Sequence, residues 1–222
     1  WVNHVSRELS TQDRAVPPRL PENPHGMHVL LLGEQGLGDE LLFLRFAPSL
    51  KARGMRLSYR GSLRLLPLLT EQDLFEEWLD PQANIDMTSF DAVVSVGNLP
   101  YVLGMASAAE IPPPLELKAA SELIERMRDR LMGCASPIIG VTWRAGTEQG
   151  ERLLFKEMPI QLLGEQLRDV PGSIVVLQRF PKPGEIEQFA RYAGGEVLDF
   201  SGTNENLEEM LALLSLIDAY IG

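Results

Sequence analysis

The sequence predicts an α/β protein built on parallel sheets, and three observations carry that expectation. Short unbroken apolar runs ("MHVLLLG", "DAVVSVG", "SPIIGVTW", "SIVVLQ") have the length and turn-residue borders of strands buried on both faces. Amphipathic segments of helical period separate the runs. The alternation stops in a proline-rich stretch between residues 112 and 135 and then restarts, which predicts two α/β blocks. Residues 1–26 read as a linker or the tail of an upstream region, because "RAVPPRLPENPHG" has four prolines and little periodicity. The blocks are placed at residues 27–118 and 119–222.

Taken in order, "MHVLLLG" is the first strand. "DELLFLRFAPSLKARG" follows as a helix, opened by acidic residues that suit its positive N-terminal end and closed by basic residues and Gly54. Pro48 should kink or shorten that helix. "MRLSYR" is a strand, "SLRLLPLLTE" a short helix and "DAVVSVGNLP" a strand ending in a turn. "IPPPLEL" is an extended crossing and "SELIERMRDRLMG" a helix. The second block reads "SPIIGVTW" strand, "MPIQLLGEQLRD" helix, "SIVVLQ" strand, "PGEIEQFARYA" helix, "EVLDF" strand, "NLEEMLALLSLID" helix and "AYIG" strand. A buried strand at the end of the chain predicts a truncated second domain whose uncovered sheet face favours self-association.

Composition narrows the functions. With 31 acidic against 20 basic residues and a net charge of −11, nucleic-acid binding is disfavoured. A local Arg/Lys pocket for a small anion is still allowed. No run of 18 or more apolar residues spans a membrane. The one cysteine, Cys134, and the lack of a signal-peptide pattern fit a reducing, cytoplasmic compartment. His4, His25 and His28 all lie at the N-terminal edge and no D-x-D triplet occurs, so no metal site is expected.

The loop "GEQGLGDE" admits three readings. A phosphate-binding P-loop needs Gly-Lys-Ser/Thr where Asp39 and Glu40 stand, so that reading fails. A dinucleotide fingerprint needs G-x-G-x-x-G, whereas the glycines are Gly33, Gly36 and Gly38, and a carboxylate at the helix start repels pyrophosphate. In the third, Gly36 and Gly38 bring backbone close to a ligand and hold Asp39 beyond the strand ends. Asp39 is then either a general base toward a hydroxyl or simply a helix-start carboxylate favouring the dipole.

The stretch "LLLGEQGLGDELLFLRFAPSLKARG" resembles the start of the glycosyltransferase-like domain found behind tetratricopeptide repeats in many bacterial proteins, which is related to the lipopolysaccharide heptosyltransferases. Gly38, Asp39 and Pro48 match the first loop and helix of that family. Weaker matches run through "VSVGNLPYVLG", "IPPPLEL", "IIGVTWRAGT", "FKEMPIQLL" and "SIVVLQR" to "DFSGTNENLEEMLALLSLIDAYIG", covering residues 28–222. The resemblance implies a GT-B fold of two Rossmann-like domains facing across a cleft. The acceptor side lies in the first, a nucleotide-sugar donor binds mainly to the second, and no cofactor is used. It implies Asp39 as the catalytic base, Lys156 as a contact to the donor phosphates and Glu209 as a further donor-side residue. The family's turn containing Thr and His after "DAYIG" is absent, so the donor site is expected to be incomplete and the fragment inactive.

The second block has strand-end chemistry of its own. Arg144 can fork onto a diphosphate, Gly146 permits close approach and Thr147 adds a hydroxyl donor, the positive and polar groups that metal-free glycosyl transfer needs around a departing diphosphate. Gln178 and Arg179 end "SIVVLQR" as a polar pair at the next strand. The competing readings are an Arg144 paired with Glu148, Glu151 or another carboxylate, a Lys156 that is merely solvated, and a Trp143 that is core rather than a stacking platform. Overall the sequence reads as a metal-independent transferase passing a sugar to a carbohydrate or protein hydroxyl. The alternatives are a non-catalytic interaction module on the same scaffold and a nicotinamide-dependent enzyme. Arg60 and Gly61 disfavour the last, because they stand where an acidic ribose ligand would be.

Overall fold

The computed structural model describes residues 19–34, 36–145 and 156–222. Contacts divide the chain into two compact units, Trp1–Leu117 and Lys118–Gly222. In the first, β1 (His28–Leu32), β2 (Arg56–Arg60), β3 (Glu77–Trp78) and β4 (Ala92–Ser95) form, among the described residues, a four-stranded parallel sheet in the order β3-β2-β1-β4. Val29, Leu30 and Leu31 are fully buried, and β1 has a hydrogen-bonded neighbour on each side. In β2, Leu57 and Tyr59 are equally buried.

The helix expected after β1 is two helices, α1 (Leu37–Leu44) and α2 (Ala47–Ala52), broken at Arg45 and Phe46. Pro48 causes the break and then sits in the first turn of α2, where its missing N–H costs nothing. A single turn of 3₁₀ helix leads into α3 (Leu66–Leu69), and another into α4 (Leu99–Val102). The two-residue β3 has no counterpart in the sequence reading. It holds the sheet edge through Trp78, which with Phe75 packs its ring on that of Tyr59 at 4.9 and 5.0 Å between centroids. Residues 19–26, read as linker, are tied to this unit by Leu20 N–H to the Val102 carbonyl at 3.4 Å and Gly26 N–H to the Gly54 carbonyl at 2.8 Å.

The second unit opens with α5 (Ser121–Arg130) and builds its sheet from β5 (Ile138–Val141), β8 (Ser173–Val176), β9 (Leu198–Asp199) and β10 (Ala219–Ile221), parallel, in the order β10-β5-β8-β9. Side chains alternate along these strands, so each face has its own core. Ile139, Val141 and Val176 pack with Leu163, Leu167 and Phe189 of α6 (Ile160–Leu167) and α7 (Glu185–Ala193). Val175 and Leu177 pack on the other face with Met127 of α5 and Leu213 of α8 (Leu207–Leu214). Between β5 and α6 a short antiparallel ribbon forms from β6 (Arg144–Ala145) and β7 (Lys156–Glu157), which the sequence reading missed.

One close approach in the first unit is demanding. A Cβ on Gly61 would lie 2.6 Å from the Glu40 carboxylate, and one on Gly33 would lie 2.7 Å from the Gly61 Cα. Gly61→Ala should therefore destabilise the first unit by about 1–3 kcal/mol, the usual cost of overpacking a filled site. Hydrogen exchange should show faster opening across β1 and β2 and unchanged protection in β5 and β8.

Candidate functional site

Open parallel sheets receive ligands beyond the carboxyl ends of their strands, where the strand order reverses. In the first unit this point lies between β1 and β4. The chain leaves β1 there through Gly33 and Glu34, and α1 begins after Gly36, its N-cap in extended conformation. Asp39 stands exposed in the first turn of α1, beside Gly36: a Cβ on Gly36 would lie 2.9 Å from the Asp39 carboxylate. Gly38 is exposed next to it, and a Cβ there would meet no other part of the protein within 4 Å. No side-chain bond caps α1, so Asp39 influences the helix only through charge near its positive end.

Two further carboxylates near this turn, Glu34 and Glu40, were given no role in the sequence reading. Glu34 lies on the β4 side. Its Oε1 accepts from the Ser95 hydroxyl at 2.5 Å and from the Gly97 N–H at 3.2 Å. Glu40 lies on the β2 side and is only 3% exposed. It accepts a short hydrogen bond from the Tyr59 phenol and another from the Ser62 N–H at 3.0 Å. Burial pushes the Glu40 pKa up, its two donors offset this in part, and the charge of Glu34 adds to the rise. The Tyr59 phenol is pushed up as well, first by its own burial and then by Glu40. The only signal for either role in the sequence was the count of acidic residues in a glycine loop.

In the second unit the order reverses between β5 and β10. Thr142 stands there, its hydroxyl 2.7 Å from the phenol of Tyr220. Arg144 turns the other way. Its guanidinium makes a two-pronged bond to Glu185 of α7, at 2.8 and 3.0 Å, a longer one to Glu157 at 3.3 Å and one to the Phe180 carbonyl at 3.2 Å. Its side chain is 10% exposed and that of Glu185 9%. Burial alone would raise the Glu185 pKa, but Arg144 and the Lys182 N–H outweigh it and hold the carboxyl below its ordinary value. The anticipated ion pair of Arg144 is thus with Glu185, 41 residues away, and the guanidinium charge is already matched.

Lys156 is exposed, and its register partner in the ribbon is Ala145, whereas Arg144 lies opposite Glu157. Because side chains alternate along a strand, Lys156 and Arg144 lie on opposite faces of the ribbon, and the structure does not bring them together. Gln178, expected to line the ligand side, is 1% exposed. Its Oε1 accepts from the Trp143 and Arg144 N–H groups, both at 2.9 Å, and its amide donates to the Arg144 and Arg179 carbonyls. It therefore acts as backbone, joining β5 to β8 where the strands diverge. Trp143 is 2% exposed and belongs to the core. Glu209, in the first turn of α8, pairs with Arg126 of α5. Gly146 and Thr147 lie outside the described residues, as do Glu148 and Glu151.

A hollow of about 470 Å³ sits on the β9 side of α7, lined by Pro181, Lys182, Glu187, Glu196 and Asp199. It lies at the opposite edge of the sheet from β10. Among the described residues no group of three His, Cys, Asp or Glu is placed to hold a metal, and no helix is long and apolar enough to cross a membrane.

No family model matches the chain, and no curated protein matches it either. Solved structures share its fold. A glycosyl transferase family 9 protein from Veillonella parvula aligns with a TM-score of 0.59 at 10% identity, over 87% of this chain and 75% of its own. The ADP-heptose LPS heptosyltransferase II of E. coli aligns with a TM-score of 0.54 at 15% identity, over 87% and 78%.

The two buried carboxylates should respond to pH in opposite senses. The folded pKa of Glu40 lies above its unfolded value, so its contribution to stability falls as pH rises from about 4.5 through the raised value. In urea titrations, the advantage of Glu40→Gln over wild type should grow with pH across that range and vanish below it. The folded pKa of Glu185 is depressed, so its contribution is complete above the unfolded pKa and is lost as pH falls through the folded one. Glu185→Gln should cost about 3 kcal/mol near neutrality, as expected when one partner of a buried pair is removed. That cost should shrink in acid.

Proposed function

We propose that the chain is a glycosyltransferase of GT-B type that moves a sugar from a nucleotide-diphosphate donor to an acceptor hydroxyl without a metal. The observation that carries this reading is Asp39, exposed on the first turn of α1 beyond the end of β1, in a fold shared with two glycosyltransferases. In the step we envisage, the Asp39 carboxylate takes the proton of the acceptor hydroxyl. The acceptor oxygen forms a bond to the anomeric carbon, and the bond from that carbon to the diphosphate breaks, its electron pair leaving with the nucleoside diphosphate.

Lys156 is the exposed cation we assign to the donor phosphates, together with Gly146 and Thr147 earlier in the chain. Arg144 contributes at one remove, since its charge is matched by Glu185 and Glu157 and its place is to set the start of the ribbon that carries Lys156. Gln178 and Glu209 act the same way, through backbone and helix packing. The acceptor is a carbohydrate or protein hydroxyl.

The neutralised Arg144 also favours a second reading, a non-catalytic interaction module that keeps the scaffold. Calorimetric titration of the full chain with a panel of nucleoside diphosphates separates the two. Saturable binding of one base supports the enzyme, and silence across the panel supports the module. In an active protein, Asp39→Asn should leave donor binding intact and lower turnover about 100- to 10,000-fold, the range for loss of a general base. Lys156→Ala should weaken diphosphate binding instead, because its charge is felt in the ground state and the transition state alike. Near-normal turnover of Asp39→Asn, with chemistry rate-limiting, would return Asp39 to a helix-start role.

A further inference from the structure

Among the described residues two that are not glycine hold a positive φ, Asp73 at 47° and Phe180 at 50°. A short polar side chain tolerates that left-handed region, whereas a bulky one there is strained. Such strain persists only where the surroundings impose it, and it concentrates at ligand sites. The turn after β8 imposes it on Phe180 from both sides. The Arg179 carbonyl accepts from the amide of the buried Gln178 at 2.8 Å, and the Phe180 carbonyl accepts from the Arg144 guanidinium at 3.2 Å. Two residues on, the Lys182 N–H donates to the buried Glu185 at 2.7 Å. The ring that this fixed turn presents is nevertheless 68% exposed, so core packing does not offset the strain. The Arg179 guanidinium lies over the ring, 4.4 Å from its centroid. The next four residues, Pro181, Lys182, Pro183 and Gly184, line the hollow of about 470 Å³, a volume within the range of small-molecule sites.

We infer that Phe180 is the surface on which the base of the donor nucleotide stacks, and so a specificity-determining residue. The chemistry selects the class. The Arg179 charge offsets the negative face of the ring, the feature that otherwise disfavours face-to-face stacking of two π-systems. The ring is thereby suited to a flat nucleobase rather than to the C–H face of a sugar. Position agrees with this. The guanidinium that holds the Phe180 carbonyl also bonds Glu157, the chain neighbour of Lys156. One ion-paired arginine thus fixes both the turn that presents the ring and the ribbon that carries the lysine assigned to the diphosphate. Arg144 is then a positioning residue for base and phosphate alike, a use for a strand-end guanidinium whose charge is already matched by Glu185. This assignment rests on the reading that the second unit is the donor side.

The test uses the full chain, with ADP, GDP, UDP and CDP as one set of calorimetric probes and inorganic pyrophosphate as the other. At least one nucleoside diphosphate should bind. Phe180→Leu keeps apolar bulk without a ring and should weaken that binding about 10- to 100-fold, the range for loss of one stacked aromatic. Phe180→Tyr keeps the ring and should bind as wild type does. Pyrophosphate, which has no base, should bind all three proteins alike. Phe180→Gly removes the ring and the strain together, because glycine takes a positive φ freely. It should lose the base as Phe180→Leu does while melting at or above the wild-type temperature. A ring held for packing would instead lower the melting temperature of both variants and leave base and phosphate undistinguished. The inference is overturned if Phe180→Leu binds the preferred diphosphate as wild type does, if it weakens pyrophosphate to the same degree, or if wild type binds none of the four. Failure of the transferase reading looks different: diphosphate binding would persist and depend on Phe180, with no turnover of any nucleotide sugar.

Discussion

Two glutamates pin the loop that leaves β1 to both neighbours of that strand, Glu34 to the end of β4 and Glu40 to the end of β2. Where parallel strands end, their ladders stop and peptide groups at the rim need other partners. Glu34 satisfies the Gly97 N–H and Glu40 the Ser62 N–H, each reaching across from the segment that follows β1. The glycines follow from this constraint. Gly61 is bare because the Tyr59 phenol and the Glu40 carboxylate fill the space above it, Gly33 because Gly61 and Glu40 do, and Gly97 because the Glu34 carboxylate does. Asp39, between two fixed glutamates, is held beyond the strand ends without any bond of its own to a cap.

Burial of Glu40 has a cost that its surroundings only partly offset. A carboxylate taken out of water prefers its neutral form, and Tyr59 and Ser62 recover part of that preference without reversing it. The second unit solves a similar problem with opposite charges. Glu185 stays ionised because Arg144 meets it with two prongs, and a two-pronged contact also fixes direction. It turns the guanidinium toward α7 and away from the reversal between β5 and β10. Gln178, with its carbonyl and amide both engaged, continues the β5–β8 ladder past the last strand residue. Side chains that looked like ligand groups at strand ends are in this unit largely the means by which the ends are closed.

Charge then separates the two halves of the functional proposal. The first unit presents carboxylates at its reversal, suited to hydroxyls. The second presents an exposed lysine, Lys156, a group suited to phosphate. The fold likeness at 10% and 15% identity is silent on both sites, since a fold carries many chemistries. What distinguishes a transferase from a scaffold here is whether Lys156, with Arg144 already paired, draws a diphosphate.

The sequence by itself determined the α/β class, the parallel sheets and the placing of the long strands and helices, because burial on two faces and helical period are written in local order. Pro48 announced the break in the helix, and Gly36, Gly38 and Asp39 announced a strand-to-helix turn with an exposed carboxylate. Only the tertiary structure decided which polar residues pair with one another at the strand ends. Arg144 meets Glu185 across 41 residues, Glu40 meets Tyr59 across 19, and Glu34 meets Ser95 across 61. No periodicity encodes such meetings. The two-residue β3, and the pairing of β6 with β7, were likewise invisible, since strands that short have no pattern of their own and exist only because a neighbour completes their hydrogen bonds.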